Sequence, residues 1–121
     1  MSDSKELSAA QKLVGDIAPK MAELTDDVLF GDVWERAGLS KRDRSLVTVA
    51  ALIVNRNTEQ LTGHLNRAKE YGLSETELVE MITHLAFYAG WPRSMSAVRV
   101  ARADGYRAMD ERRAIKALLI P

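Results

Sequence analysis

Apolar positions along the chain recur at helical spacing. Met21, Leu24, Val28 and Leu29 mark one stripe, and Leu61, Leu65, Ala68 and Tyr71 another. Leu78, Ile82, Leu85 and Ala89 mark a third. No stretch alternates β-branched and polar residues, and no Asn-Gly turn joins two such stretches. The pattern predicts an all-α fold of about six helices.

Local signals set the boundaries. A first helix is expected over residues 5–15, weakened or ended by Gly15. Pro19 suits the first turn of a second, where its missing N–H costs nothing. A short helical turn through Val33 and Trp34 ends near Gly38. Ser40, with Asp43 three residues on, caps the next helix. Asn57 or Thr58 caps the one after, and Gly72 terminates it. Ser74 and Glu77 form a capping box for the fifth. Gly90-Trp91-Pro92 breaks the chain, and Pro92 opens a final helix running to about residue 117, with a break at Gly105.

The segment Leu46–Val54 departs from simple amphipathicity. Thr48 is its single polar residue. A helix apolar all round is buried all round. One small subunit does not readily supply such a shell, so the segment predicts burial between subunits and hence a homo-oligomer.

Composition narrows the chemistry. The 121 residues fit one domain, 1–121, large enough to bury a core. There is no cysteine, which excludes disulfides, thiolate metal sites and cysteine nucleophiles. Seventeen basic residues balance seventeen acidic ones, so no nucleic-acid partner is expected. All the arginines lie from Arg36 onward, where planar clamps for carboxylates are concentrated. No apolar run approaches a membrane span of about 20 residues, and the first residues lack a signal peptide's apolar segment. A cytoplasmic protein without membrane contact is the expectation.

His64 lies on the edge of an apolar stripe. It reads either as a satisfied core histidine or as a general acid or base titrating near neutrality. Glu80, His84 and Tyr88 share a helix face and read either as a proton-relaying row or as a solvated one. Trp34 and Trp91 flank turns, as core or interface anchors or as pocket walls. His64 and Glu59 are five apart and off one face, so no metal site is expected. Neither a nucleophile elbow nor a glycine-rich phosphate loop is present.

Three segments in order carry a family resemblance: Val33 to Thr48, Asn55 to Leu65, and His84 to Pro92. Together, over roughly 28–103, they resemble the carboxymuconolactone decarboxylase family. The resemblance implies the helical fold of alkylhydroperoxidase D and assembly as trimers or hexamers. That superfamily's peroxidase branch carries a Cys-x-x-Cys pair, a histidine four residues later and an upstream glutamate. By position these fall on Asn57, Gln60, His64 and Ser45, so only the histidine is kept and thiol peroxidase chemistry is excluded.

The decarboxylase branch, with its Arg-Asn-x-Glu-x-Leu-x-x-His-Leu pattern, resembles Arg56 to Leu65 without these losses. It implies a cofactor-free lyase in aromatic-compound catabolism, acting on a small carboxylated lactone or related acid. The departing carboxylate leaves an electron pair that delocalises onto the lactone carbonyl. Such chemistry asks for cations on the carboxylates, for which Arg42, Arg44 and Arg56 are the candidates. It asks for donors toward the developing enolate oxygen, and for an acid to protonate carbon. His64 fits the acid, Glu59 an orienting carboxylate and Tyr88 a donor, while His84 and Trp91 complete the substrate contacts. Ala89 stands where many decarboxylases carry cysteine, and Trp91 where a smaller apolar residue is common. Two other readings remain: a relative running isomerase or hydratase chemistry, and a non-catalytic helical oligomer that binds a small ligand.

Overall fold

The computed structural model describes residues 6–106. Six α-helices run through them: α1 (Ala9–Val14), α2 (Pro19–Leu24), α3 (Lys41–Val54), α4 (Thr58–Glu70), α5 (Glu75–Ala89) and α6 (Trp91–Ala103). No strand occurs among the described residues. The chain divides into two compact units between Lys41 and Arg42.

In the first unit, α1 is shorter than the expected 5–15. Ser8 starts it, its hydroxyl accepting from the Gln11 N–H and donating to the Asp26 carboxylate at 2.7 Å. Pro19 occupies the first turn of α2 as expected. The helical stripe beyond it does not continue as α-helix. At Thr25 the backbone widens into a π-helical segment, Thr25–Phe30, and the Thr25 hydroxyl takes the Met21 carbonyl at 2.8 Å. A side-chain hydroxyl competing for a helix carbonyl disturbs the i to i−4 ladder. A 3₁₀ turn, Val33–Glu35, follows and carries the buried Trp34, whose ring lies 5.6 Å from that of Phe30.

The second unit holds the hydrophobic core. Val49 and Ile53 of α3, Leu61, Leu65 and Ala68 of α4, Leu78 and Ile82 of α5, and Ala97 and Ala101 of α6 meet there. The spacings are the i, i+4 and i+7 repeats that put one stripe of each helix inward. The Ser74 hydroxyl accepts from the Glu77 N–H, and the Glu77 carboxylate accepts from the Ser74 N–H, closing the expected capping box. The Ser94 hydroxyl donates to the Ile82 carbonyl at 2.9 Å and ties α6 to α5. The last helix ends at Ala103, and residues 107–117 of its expected course lie outside the described residues.

Within the described residues of one chain, α3 is buried on one side only. Ser45, Val49 and Ile53 are buried, whereas Val47 is 62% exposed and Ala51 and Val54 are also exposed. Positions 47, 51 and 54 form a second apolar stripe, which the described helices leave exposed.

Helices α3, α4 and α6 end in the same way. Each closes with a pair of bonds in which two successive N–H groups reach back across the last turn. For α4 these are Gly72 to Lys69 and Leu73 to Ala68; for α6, Gly105 to Arg102 and Tyr106 to Ala101. For α3 they are Arg56 to Ile53 and Asn57 to Leu52. This Schellman closure needs a left-handed residue, normally glycine. Gly72 and Gly105 supply it with φ of 104° and 89°; at α3 an arginine does, with φ of 61°.

Candidate active site

His64 sits in the middle of α4, half-buried on the flank of the stripe that faces the core. Its Nδ1 is closed off from solvent. Burial pushes the imidazole below its ordinary pKa of 6.5, and the Arg67 guanidinium lowers it further. At neutral pH the uncharged ring is therefore favoured.

One turn before His64, Leu61 lines a cavity of about 210 Å³. Its walls are Ile53 and Arg56 from the end of α3, Thr58 and Leu61 from α4, and Arg93, Ser96 and Ala97 from α6. His64 is not among the lining residues, and neither is any acidic side chain. Arg56 stands at the cavity because the left-handed turn after α3 places it there. Arg93 is held by its Nη1, which donates to the Ala89 carbonyl at 3.1 Å at the end of α5. Its Nε is buried and has no hydrogen-bond partner.

The other residues expected at the site lie elsewhere. Arg42 and Arg56 occupy opposite ends of α3, roughly 20 Å apart along its axis, so one chain cannot close both on one small carboxylate. Arg42 pairs with Glu77 at the start of α5 and with Asp43 at 3.4 Å. Arg44 is half-buried on the first turn of α3, and its carbonyl accepts from the Thr48 hydroxyl at 2.7 Å. Glu59 is exposed on the first turn of α4. His84 and Tyr88 pack ring to ring at 4.9 Å on an exposed face of α5, with Tyr88 79% exposed. Trp91 is exposed at the start of α6, edge-on to Phe87 at 5.6 Å. Of the predicted substrate contacts, only Arg56 reaches the cavity.

Two features escaped the sequence reading. Arg93 and Ser96 are i, i+3 neighbours just beyond Pro92, a signal overshadowed by the adjacent tryptophan. Ser45 lies on the inner face of α3, 1% exposed, and its hydroxyl has no hydrogen-bond partner. Among the described residues no group of three His, Cys, Asp or Glu side chains is placed to hold a metal ion. Nor is any described helix long and apolar enough to cross a membrane.

Comparison with known proteins adds family context. The sequence model described as the carboxymuconolactone decarboxylase family matches residues 19–103. Over 72 residues the chain is 40% identical to the 4-carboxymuconolactone decarboxylase of Acinetobacter baylyi, covering 60% of this chain and 54% of that protein. Over 80 residues it is 34% identical to a nitrosuccinic acid decarboxylase of Metarhizium robertsii, covering 66% and 56%. An uncharacterized 15.0 kDa protein of Paracoccus denitrificans is 28% identical over 100 residues, covering 81% of this chain and 72% of that protein. The match thus spans about half the length of the two named decarboxylases.

Proposed function

The chain belongs to the carboxymuconolactone decarboxylase family, and from that premise we propose that it is a cofactor-free carboxy-lyase acting on a small carboxylated lactone or related acid. Likeness to two proteins named as decarboxylases supports the reaction class. The observation that carries the reading is local. A half-buried imidazole stands one helical turn from a cavity that presents two arginines and no acid.

In this reading the arginines hold substrate carboxylate, and the C–C bond to the departing carboxylate breaks. The electron pair stays on the carbon skeleton, delocalised toward a carbonyl, and carbon dioxide leaves. The carbanionic carbon then takes a proton from His64, which solvent restores. Burial lowers the His64 pKa below its ordinary value. A bound carboxylate works in the opposite direction, since a nearby negative charge favours imidazolium. Substrate binding therefore raises the proton affinity of His64, and the ring takes its proton from solvent. The rate constant kcat/KM reports the free enzyme, so it should fall as pH rises above the lowered His64 pKa, while kcat holds to higher pH. A pH profile of carbon dioxide release tests this. A kcat/KM that rises with pH through that range removes His64 as the acid.

The chain works as a homo-oligomer in this proposal, trimer or hexamer, with the Val47–Ala51–Val54 stripe as its covered face. An apolar helical stripe that the described residues of one chain leave exposed supports that assembly. Thiol peroxidase chemistry has no place in it, because the sequence contains no cysteine.

A further inference from the structure

The N-terminal unit has almost no core of its own. Among its described residues only Ala22 and Trp34 are buried. Met21, Leu24 and Val28 recur at i, i+3 and i+7 along α2 and the π-helical segment, and all three are exposed. A segment this short does not hide such a stripe in an interior of its own, so the stripe marks a contact surface. The same stretch is acidic. From Pro19 to Glu35 it holds five carboxylates, the exposed Glu23 and Asp27 among them, and one lysine.

The outer face of α6 is the converse. Trp91, Met95 and Val98 lie at i, i+4 and i+7 along it and are exposed, and the exposed Phe87 of α5 extends the patch against Trp91. A groove of about 500 Å³ follows this face, lined by Met95, Val98, Arg99, Arg102 and Ala103. A smaller one shares Met95 and Val98 and continues toward Ile82 and Ala86 of α5. The helix carries three arginines and no acid. Apolar side chains exposed beside charge of a single sign make an interaction surface that selects its partner by charge.

Charge decides the occupant. Two α6 faces set against each other oppose arginine to arginine, so this face does not pair with its own copy about a two-fold axis. It calls for an apolar stripe that carries carboxylates, and α2 with the π-helical segment is such a stripe.

We propose that the acidic apolar stripe of α2 and the π-helical segment in one copy seats on the α6 groove of a second copy, with Glu23 and Asp27 facing Arg99 and Arg102. The contact is heterologous. Each copy gives one surface and receives the other, and repetition about an axis closes a ring. The proposal rests on the self-association put forward above and adds to the α3 stripe a contact of different chemistry.

The absence of cysteine makes cross-linking a clean test, since introduced thiols are the only ones present. L24C and V98C chains, one of them tagged, are co-expressed and oxidised. A disulfide requires Cα atoms within about 7 Å, so a mixed L24C–V98C species should form and neither variant should link to itself. R99E/R102E in the V98C chain should suppress the mixed species, and E23K/D27K in the L24C chain should restore it, with circular dichroism establishing that each variant is folded. Absence of the mixed species, V98C linked to V98C, or indifference to R99E/R102E overturns the proposal. So does an L24C/V98C double variant that links only within one chain. Light scattering of the wild type separates the two possible failures. A monomer removes this contact and the assembly together, whereas an oligomer without the mixed species removes this contact alone.

Discussion

Replacing Arg56 by glycine should make the chain more stable and its ligand binding weaker. Arg56 closes α3 at a φ of 61°, a region that costs a residue with a Cβ about 1–2 kcal/mol. Glycine removes that cost but adds unfolded-chain entropy, about 0.5–1 kcal/mol against folding. The net expectation for R56G is a gain of about 0.5–1 kcal/mol, or roughly 2–4 °C in Tm for a domain of this size. The same change removes one of two guanidinium groups from the cavity. A hydrogen bond to a charged group contributes about 1.5–3 kcal/mol, so affinity for a carboxylate probe such as succinate should fall about ten- to a hundredfold. Thermal melts at 222 nm and calorimetric titration read the two effects on one sample. G72A is the mirror control: an added Cβ meets nothing within 4 Å, so its cost is backbone strain alone. It should lower Tm by a few degrees and leave affinity unchanged. A lower Tm for R56G would refute the strain argument, and an unchanged affinity would refute Arg56's role in the cavity.

Three further outcomes follow from other parts of the structure. S45A removes a buried hydroxyl that has no partner and should stabilise the chain by about 1 kcal/mol, seen as a raised denaturant midpoint; a lower midpoint would mean that the hydroxyl is satisfied. H64Q should flatten stability against pH on the acid side. The folded state holds His64 below its ordinary 6.5, so its contribution is full above that pH and is lost as pH falls toward the lowered value; an unchanged slope in urea melts would contradict this. V47E places a charge on the open stripe of α3 and should reduce the mass measured by light scattering without loss of helix; an unchanged mass would remove that stripe from the assembly.

The helices were legible in the sequence because their signals are local. The Ser74–Glu77 capping box and the Gly72 terminator each lie within a few residues and are kept, and the α4 stripe is kept through Leu61, Leu65 and Ala68, while Tyr71 falls beyond the helix and is exposed. The π-helical stretch after Thr25 was not legible, because apolar spacing tolerates one widened turn. Asn57 or Thr58 is the expected cap of α4, and Asn57 takes that position without a side-chain capping bond; the turn before it is made by Arg56, which nothing in Asn55-Arg56-Asn57 marks as left-handed. The cavity was the least visible feature. It joins the end of α3, the start of α4 and the start of α6, and only tertiary packing brings Arg93 beside Arg56. Family resemblance points to His64, Glu59, Tyr88, Arg42, Arg44, Arg56, His84 and Trp91; of these only Arg56 lines the cavity, together with Arg93.

Carbon dioxide release from 4-carboxymuconolactone, measured with purified wild-type chain and with H64A in parallel, tests the central claim most directly. The account predicts release by the wild type and a fall of about 10²–10⁴ in rate for H64A, with helix content unchanged, as expected when a general acid is lost. A wild type that releases no more than buffer, or a folded H64A that matches it, would contradict the account.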